Sequence, residues 1–399
     1  MAEFYDELEV RSADQRAADQ NRALSDLLQG ISMAPAQWRE AARGVKTADD
    51  LVKLPVLRKS DLAEWQKERP PFGGIEVKNA VHYFQSPGPI YEPGGGTHDW
   101  WRMGRFLHAA GIGAGDIVQN CFSYHLTPAG HIFESGARAV GAAIIPAGTG
   151  QTELQVRAAA DIGATAYAGT PDYLKVILEA ADEAGVTLGI TRAVVGGGAL
   201  FPSLRDLYSQ RGILCLQNYA TADLGNIAYE SPAQEGLILD EHVIVEIVRP
   251  GTGDRVGPGE VGEVVVTALN PDYPLVRFAT GDLSAILPGD SPCGRTNSRI
   301  KGWMGRADQT TKVKGMFVRP EQVADIAARH PELARVRLEI TRENEADVLS
   351  VRAEADAADA AAIAATVQAV LKLKGAVQIV AKGTLPNDGK VIDDQRPIG

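Results

Sequence analysis

The sequence predicts an α/β protein: a large N-terminal domain with a doubly wound parallel core and a β-rich subdomain, then a small, mobile α+β C-terminal domain. Three observations carry this. From Gly115 onward short apolar runs alternate with helical patterns of ten to fourteen residues, which implies parallel pairing with helices on both faces. After about residue 236 the pattern turns β-rich, with short strands around Gly/Pro turns. The last 90 or so residues alternate on their own account, enough for a separate small domain. A chain of 399 residues also exceeds what one core usually serves.

In chain order, residues 12–30 and 35–43 have helical spacing, and LVKLPVLRKSDL is a proline-broken turn into a helix over 61–68. The apolar NAVHYFQ leads to the loop YFQSPGPIYEPGGGTHDW, residues 83–100, and DWWRMGRFLHAAG reads as the helix after it. On such a helix only one of Trp100 and Trp101 faces a core, which leaves the other for a lid or an interface. The α/β run then reads DIVQNCFSY (strand), HIFESGARAVG (helix), AAIIPAG (strand), TELQVRAAADIGA (helix), TAYAGTP (strand), DYLKVILEAADEAG (helix) and TRAVVGGG (strand). HVIVEIV is a strand, and GTGDRVGPGEVGEVVVTAL reads as two strands around a turn. Residues 288–302 are loop-like. The tail holds a helix over 320–329, strands near 335–341 and 347–354, an Ala-rich helix and the strand VQIVAKG. In the Ala-rich helix Ile363, Val367, Val370 and Leu371 share one face, as in an ordinary packed helix. The domains expected are 1–307 and 308–399, hinged near Asp308.

Composition narrows the function. With 45% hydrophobic and 23% charged residues the chain is an ordinary globular protein. A net charge of -11 without a Lys/Arg cluster disfavours nucleic-acid binding. Three cysteines with no close pair suit a reducing cytosol rather than a disulfide or Cys-rich zinc framework. The acidic, polar start is unlike a signal peptide, and no apolar run approaches the ~18 residues a membrane span needs. A cytoplasmic enzyme without membrane contact is expected. A dehydrogenase is unsupported because the G-x-G-x-x-G fingerprint is missing, and a Ser-His-Asp hydrolase because G-x-S-x-G is.

Four segments, in order, carry a resemblance: QNYATADLGNIAYE, YPLVRFATGDLSAI, GWMGRADQTTKVKGMFVRPEQV and LPNDGKVIDDQRP. Together they resemble the adenylate-forming acyl-CoA ligases, most closely the phenylacetate-CoA ligase branch, and SYHLTPAGHIFESGARAVGAAIIPAGTGQTELQVR is similar to that branch's acyl-site region. The matches run from about residue 80 to the end. The resemblance implies ATP, Mg²⁺ and CoA as cofactors or substrates. It implies a small carboxylic acid as partner, with a second copy of the chain allowed for.

The residues make chemical sense in these roles. Asp282, after Thr280-Gly281 at a strand end, can accept both hydroxyls of a ribose; the competing reading is a turn-capping aspartate. Tyr219, with Asn218, Ala220 and Thr221, follows the apolar GILCLQN and offers a ring to stack on adenine, against a half-buried core tyrosine. Three consecutive residues without Cβ in GGGAL (196–200) let a flat base approach the backbone at Gly197, Gly198 and Ala199, against a flexible loop. By resemblance, Arg306 contacts the nucleotide beside the hinge, and Lys390, in a glycine-flanked loop, reaches the carboxylate and α-phosphate. A lysine suits that task as a compact charge on a flexible stem, although most lysines in such loops are simply solvated. Phe122, Tyr124 and His125 come from the acyl-site segment and would make an apolar slot for a small aromatic or branched acid. His125 is alternatively a general base or a packed, hydrogen-bonded histidine.

Two motifs depart from the family pattern. Its phosphate loop is Ser/Thr-Ser-Gly-Thr-Thr-Gly; here QSPGPIYEPGGG keeps Ser86 and Gly88, while Pro89 and Ile90 replace the threonine pair and Glu92 adds a negative charge. Each lost charge-assisted hydrogen bond is worth about 1.5 to 3 kcal/mol, so this loop grips ATP weakly, and the backbone of 94–100 is an alternative holder. Ala222 stands for a phosphate-touching Ser/Thr, and Asp223 for the magnesium-linked Glu, which keeps one carboxylate for the metal. Ser231 and Ile238 occupy positions of the branch's zinc ligands and leave Cys293 alone, so no structural zinc is expected. Three readings follow: an ATP-dependent acid-CoA ligase, an ATP-independent acyl- or CoA-handling enzyme, and a non-catalytic binder of a nucleotide or acyl-adenylate.

Overall fold

A computed structural model describes residues 3–30, 40–86, 89–314, 316–343 and 346–396. Gly88, and residues 35–39 of the second expected helix, lie outside the described residues. The chain divides into two compact units: Met1–Val245 with Val266–Phe278 and Leu287–Gly302, and Glu246–Val265 with Ala279–Ile286 and Trp303–Gly399.

The first unit contains the expected doubly wound core. Five strands pair in parallel, in the spatial order Ala143–Ile145, Ile117–Asn120, Ala166–Gly169, Arg192–Val195, Leu214–Thr221. The second strand in chain order thus lies outside the first, and the winding reverses between Ile117–Asn120 and Ala166–Gly169. Antiparallel strands Gly225–Tyr229, Leu237–Leu239 and Arg299–Ile300 extend the sheet beyond Leu214–Thr221. Helices Ala129–Ala139, Thr152–Ile162, Pro171–Glu183 and Pro202–Gln210 connect the parallel strands; proline opens the last two, where a missing N–H costs nothing. The strands are short and apolar because both faces are covered. Tyr167, Leu174, Ala193, Val195, Tyr208 and Cys215 form one buried cluster, and the buried Tyr167 hydroxyl donates to Thr170 O at 3.0 Å.

Two expectations fail here for identifiable reasons. The helix expected from residue 99 begins only at Gly104 and ends at Ala109. Asp99 and Arg102 have φ of 47° and 62°, left-handed values that no helix accommodates. The Asp99 carboxylate instead accepts the N–H groups of Met103 (2.8 Å) and Gly104 (2.9 Å), fixing the helix start. Freed from helical spacing, Trp100 and Trp101 are both buried and pack edge to face at 5.1 Å, so neither is left over for a lid. The glycines of 94–96 make this packing: a Cβ at Gly95 would collide with the Trp100 ring, and one at Gly94 would stand 2.8 Å from Trp101. The stretch 251–268 yields one strand, Gly262–Ala268, instead of two, its first half being a turn tied by a single bridge between Val248 and Arg255.

The C-terminal part of the second unit is a four-stranded sheet in the order Ala376–Val380, Ala346–Glu354, Arg335–Glu343, Ile392–Asp394. Helices Pro320–Ala328 and Ala360–Leu371 cover it through Val323, Ile326, Ile363, Val367 and Leu371, with Val370 partly buried beside them. Asp359 caps the Ala-rich helix by accepting from Ala361 N and Ala362 N. Strand Ile392–Asp394 and the hairpin Thr311–Val313/Met316–Val318 escape the sequence reading.

Candidate active site

In an open α/β sheet ligands bind outside the carboxyl ends of the parallel strands, where the winding reverses. The candidate residues of the first unit stand at that edge. Phe122, Tyr124 and His125 follow strand Ile117–Asn120; Gly197, Gly198 and Ala199 follow Arg192–Val195; Asn218, Tyr219, Ala220 and Thr221 end Leu214–Thr221. Glycine brings them together. A Cβ at Gly196 would collide with Asn218 Oδ1, and one at Gly197 would lie 3.7 Å from Phe122 Cε1. Gly197 has φ +70°, which disfavours a side chain whatever the space. Asn218 donates to Asn226 Oδ1 at 3.0 Å, Thr221 Oγ1 accepts from Leu224 N at 3.1 Å, and Tyr219 is buried.

In the segment expected to hold the acid, Phe122 stacks on Phe133 with ring centroids 4.3 Å apart. Tyr124 lies over Gly130 and accepts from Asn120 Nδ2 at 2.8 Å; burial, then the nearby Glu134 charge, pushes its hydroxyl pKa up. Asn120, fully buried, also donates to Gly130 O and accepts from Phe122 N, so it shapes the whole turn. His125 is exposed rather than packed. The histidine that is packed is His131, its ring 5.1 Å from that of Tyr124.

In the second unit Asp282 and Arg306 are brought together. They are cross-strand partners in an isolated antiparallel bridge, with Ala307 N donating to Gly281 O at 2.7 Å and Leu283 N to Gly305 O at 2.9 Å. The Arg306 guanidinium donates to Asp282 Oδ1 at 2.8 Å, and the Trp303 indole N–H to the same oxygen at 3.1 Å. A Cβ at Gly281 would stand 2.7 Å from Arg306 Nη2, and Gly281 has φ +74°. The Thr-Gly-Asp order thus seats the guanidinium over a residue without a side chain.

Lys390 is not gathered with them. Its Nζ pairs with Asp393 at 2.7 Å, and it lines a groove of about 240 Å³ with Arg249, Glu260 and Val261. The neighbouring Gly389 packs on Leu283, whose side chain points to the strand face opposite to Asp282. Gln309 fixes this arrangement: its amide donates to Gly389 O and accepts from Val391 N and Ile392 N at 2.7 to 2.9 Å. Asp308, exposed, accepts only from Thr310 N among the described residues.

The altered phosphate-loop segment forms a hairpin, Ala80–Ser86 with Ile90–Gly95. Ser86 is buried, and its N–H donates to Glu92 Oε2 at 3.2 Å. Glu92 is only 1% exposed, and burial followed by the Asp223 charge pushes its carboxyl up to about 7. Asp223, 6% exposed, pairs through Oδ2 with Lys59 Nζ at 3.0 Å. Glu92 Oε1, Asp223 Oδ1 and Tyr273 Oη are buried without a hydrogen-bond partner among the described residues. The free Asp223 oxygen fits a metal that takes one protein carboxylate, while the described residues contain no group of three or more His, Cys, Asp or Glu able to hold a metal. Lys59, Asn120, Gln309 and Trp303 are absent from the sequence reading.

No protein-family model matches the chain. It is 29% identical over 329 residues to a phenylacetate-coenzyme A ligase of Aromatoleum evansii, covering 78% of this chain and 73% of that protein. It is also 29% identical over 378 residues to a phenylacetate-coenzyme A ligase of Escherichia coli K12, covering 88% and 84%. In fold it is similar to a 2-hydroxyisobutyryl-CoA ligase in the postadenylation state in complex with R3-HIB-AMP, with a TM-score of 0.72 and 22% identity over 99% of this chain and 93% of that one. These likenesses bear out the resemblance and the fold class read from the sequence. No helix among the described residues is long and apolar enough to cross a membrane.

Proposed function

We propose that this chain, which resembles the adenylate-forming acyl-CoA ligases in sequence and fold, is an AMP-forming ligase that joins a small aromatic or branched carboxylic acid to CoA in the cytoplasm. The observation that carries the reading is the meeting of Phe122, Gly196–Gly197 and Asn218 at the carboxyl edge of the parallel strands. An apolar wall and a base-admitting glycine turn then border one crevice, as an acyl-adenylate requires.

In the first half-reaction the acid's carboxylate oxygen attacks the α-phosphorus of ATP; the new O–P bond gives the acyl-adenylate, and pyrophosphate leaves. Asp282 holds the ribose hydroxyls, Arg306 sets the nucleotide beside it, and Lys390 offsets the developing charge. Since Lys390 is held by Asp393 on the strand face opposite to Asp282, residues 308–399 must swing at Asp308 to deliver it. Asp223 would hold Mg²⁺, which when bound neutralises phosphate charge. In the second half-reaction the CoA thiolate attacks the acyl carbon and AMP leaves. The buried Glu92 carboxylate favours a second reading, an ATP-independent acyl- or CoA-handling enzyme or a binder of a nucleotide or acyl-adenylate, because it adds a negative charge to the loop that would wrap the triphosphate, where Pro89 and Ile90 already replace the hydroxyl donors.

Acid-dependent exchange of pyrophosphate into ATP, run over a panel of small acids, separates the readings. Wild type exchanges with at least one acid, and Lys390→Ala lowers the rate about 10²- to 10³-fold. Exchange that persists in the variant contradicts the role of Lys390. No exchange with any acid contradicts the ligase reading, and thermal shifts with AMP and CoA then identify what is bound.

A further inference from the structure

A second cavity, of about 290 Å³, lies in the first unit between the hairpin Ala80–Ser86/Ile90–Gly95 and helix Ala129–Ala139. Of the residues assigned above to nucleotide or acid, only members of the 94–100 stretch, the alternative holder of the triphosphate, line it. Its walls are rich in donors that lack acceptors. The Arg138 guanidinium makes no hydrogen bond or ion pair with any described residue, although the side chain stands at the cavity wall in the last turn of its helix. The indole N–H of Trp101, a residue only 3% exposed, is buried without a partner. His82 and His131 present rings 4.7 Å apart, and the Ser135 hydroxyl lies on the same side as His131 and Arg138 along the helix.

Of the two carboxylates of the lining, Asp99 is engaged elsewhere and Glu134 faces His131. Asp99 is committed to the helix start, each of its oxygens accepting a backbone N–H. Glu134 lies within electrostatic reach of Tyr124 and His131. The histidines do not make a cation site, since no group of three or more His, Cys, Asp or Glu that could hold a metal exists among the described residues. Burial first, then the facing His82, lowers the proton affinity of His131, a cost that a bound anion would relieve.

We propose that this cavity is an oxyanion site, separate from the crevice at the sheet edge, in which Arg138 supplies the charge and His82, His131 and Ser135 supply hydrogen bonds to a phosphate group. A guanidinium fork suits that geometry. A phosphate can come from free pyrophosphate or from the 3′-phosphorylated nucleotide end of CoA, and the two are separable with the full chain.

Isothermal titration with pyrophosphate, and separately with adenosine 3′,5′-bisphosphate, tests the proposal on wild type and on Arg138→Ala, with saturating adenosine present throughout. Arg138 is exposed, so the variant should unfold at the wild-type temperature. At least one of the two anions binds wild type, and the variant binds it tenfold or more weakly; whichever anion binds tighter identifies the source. Failure of both anions to bind wild type, or equal affinity in the variant, overturns the proposal. Neither result depends on pyrophosphate exchange, so the ligase reading can fail while this one stands.

Discussion

The carboxyl edge of the parallel sheet and the hairpin beside it solve opposite problems. At the sheet edge glycines clear space and Asn120 is matched by Tyr124 and Gly130, while Asn218 donates to Asn226 but leaves its own Oδ1, and Asn226 its Nδ2, without a partner among the described residues. At the hairpin space is filled and partners are missing, with Glu92 Oε1, Asp223 Oδ1 and Tyr273 Oη buried and unmatched. A buried polar atom left unpaired costs roughly 1–3 kcal/mol, and more when it is charged, so the hairpin region, whose unmatched atoms include two carboxyl oxygens, spends more stability than the amides of the sheet edge. The difference teaches that neighbouring parts of one fold can balance space and polar pairing in opposite ways.

Three substitutions probe that contrast, beginning with the largest effect. Glu92→Gln removes a carboxyl whose folded-state pKa of about 7 exceeds its ordinary value of 4.5. The raised value means that Glu92 stabilises the fold fully below about pH 4.5, and that this contribution is lost as pH rises through 7. The variant should therefore match wild type near pH 4.5 and exceed it by up to about 3 kcal/mol at pH 8, measured by urea unfolding with EDTA present. A constant difference across that range would mean that Glu92 is not strained. Gly196→Ala tests the opposite region: the new methyl meets Asn218, and we expect a loss of about 1–3 kcal/mol from overpacking, with weaker AMP binding. Unchanged AMP affinity would detach the glycine turn from the nucleotide. Asp282→Ala has the smallest effect on the fold, below about 1 kcal/mol, because its partner Arg306 is more than half exposed; AMP affinity should nonetheless fall about tenfold in a calorimetric titration.

What was legible in the sequence follows from how local each signal is. The parallel strands announce themselves as short apolar runs between helical patterns, and Ile117–Asn120, Ala166–Gly169 and Arg192–Val195 all fall inside the expected segments. Asp282 and Arg306 sit in short motifs whose pairing is a backbone bridge. The helix expected at Asp99 fails because two left-handed residues there serve tertiary packing of both tryptophans. Strand Ile392–Asp394 is three residues long and pairs with Leu338–Ile340, too short to show a period. The Lys59–Asp223 pair joins residues 164 apart, and the Gln309 clamp reaches 80 residues along the chain; no local pattern marks either. Glu92 was visible as a misplaced charge, but its isolation beside Asp223 needed the fold.

The central claim is that the acid's own oxygen attacks the α-phosphorus of ATP in the crevice at the sheet edge. It is tested most directly by a turnover with acid labelled with ¹⁸O in both carboxyl positions, followed by mass spectrometry of the nucleotide product. The account predicts AMP carrying one heavy oxygen in its phosphate. AMP without label, or label found in inorganic phosphate beside ADP, would contradict it.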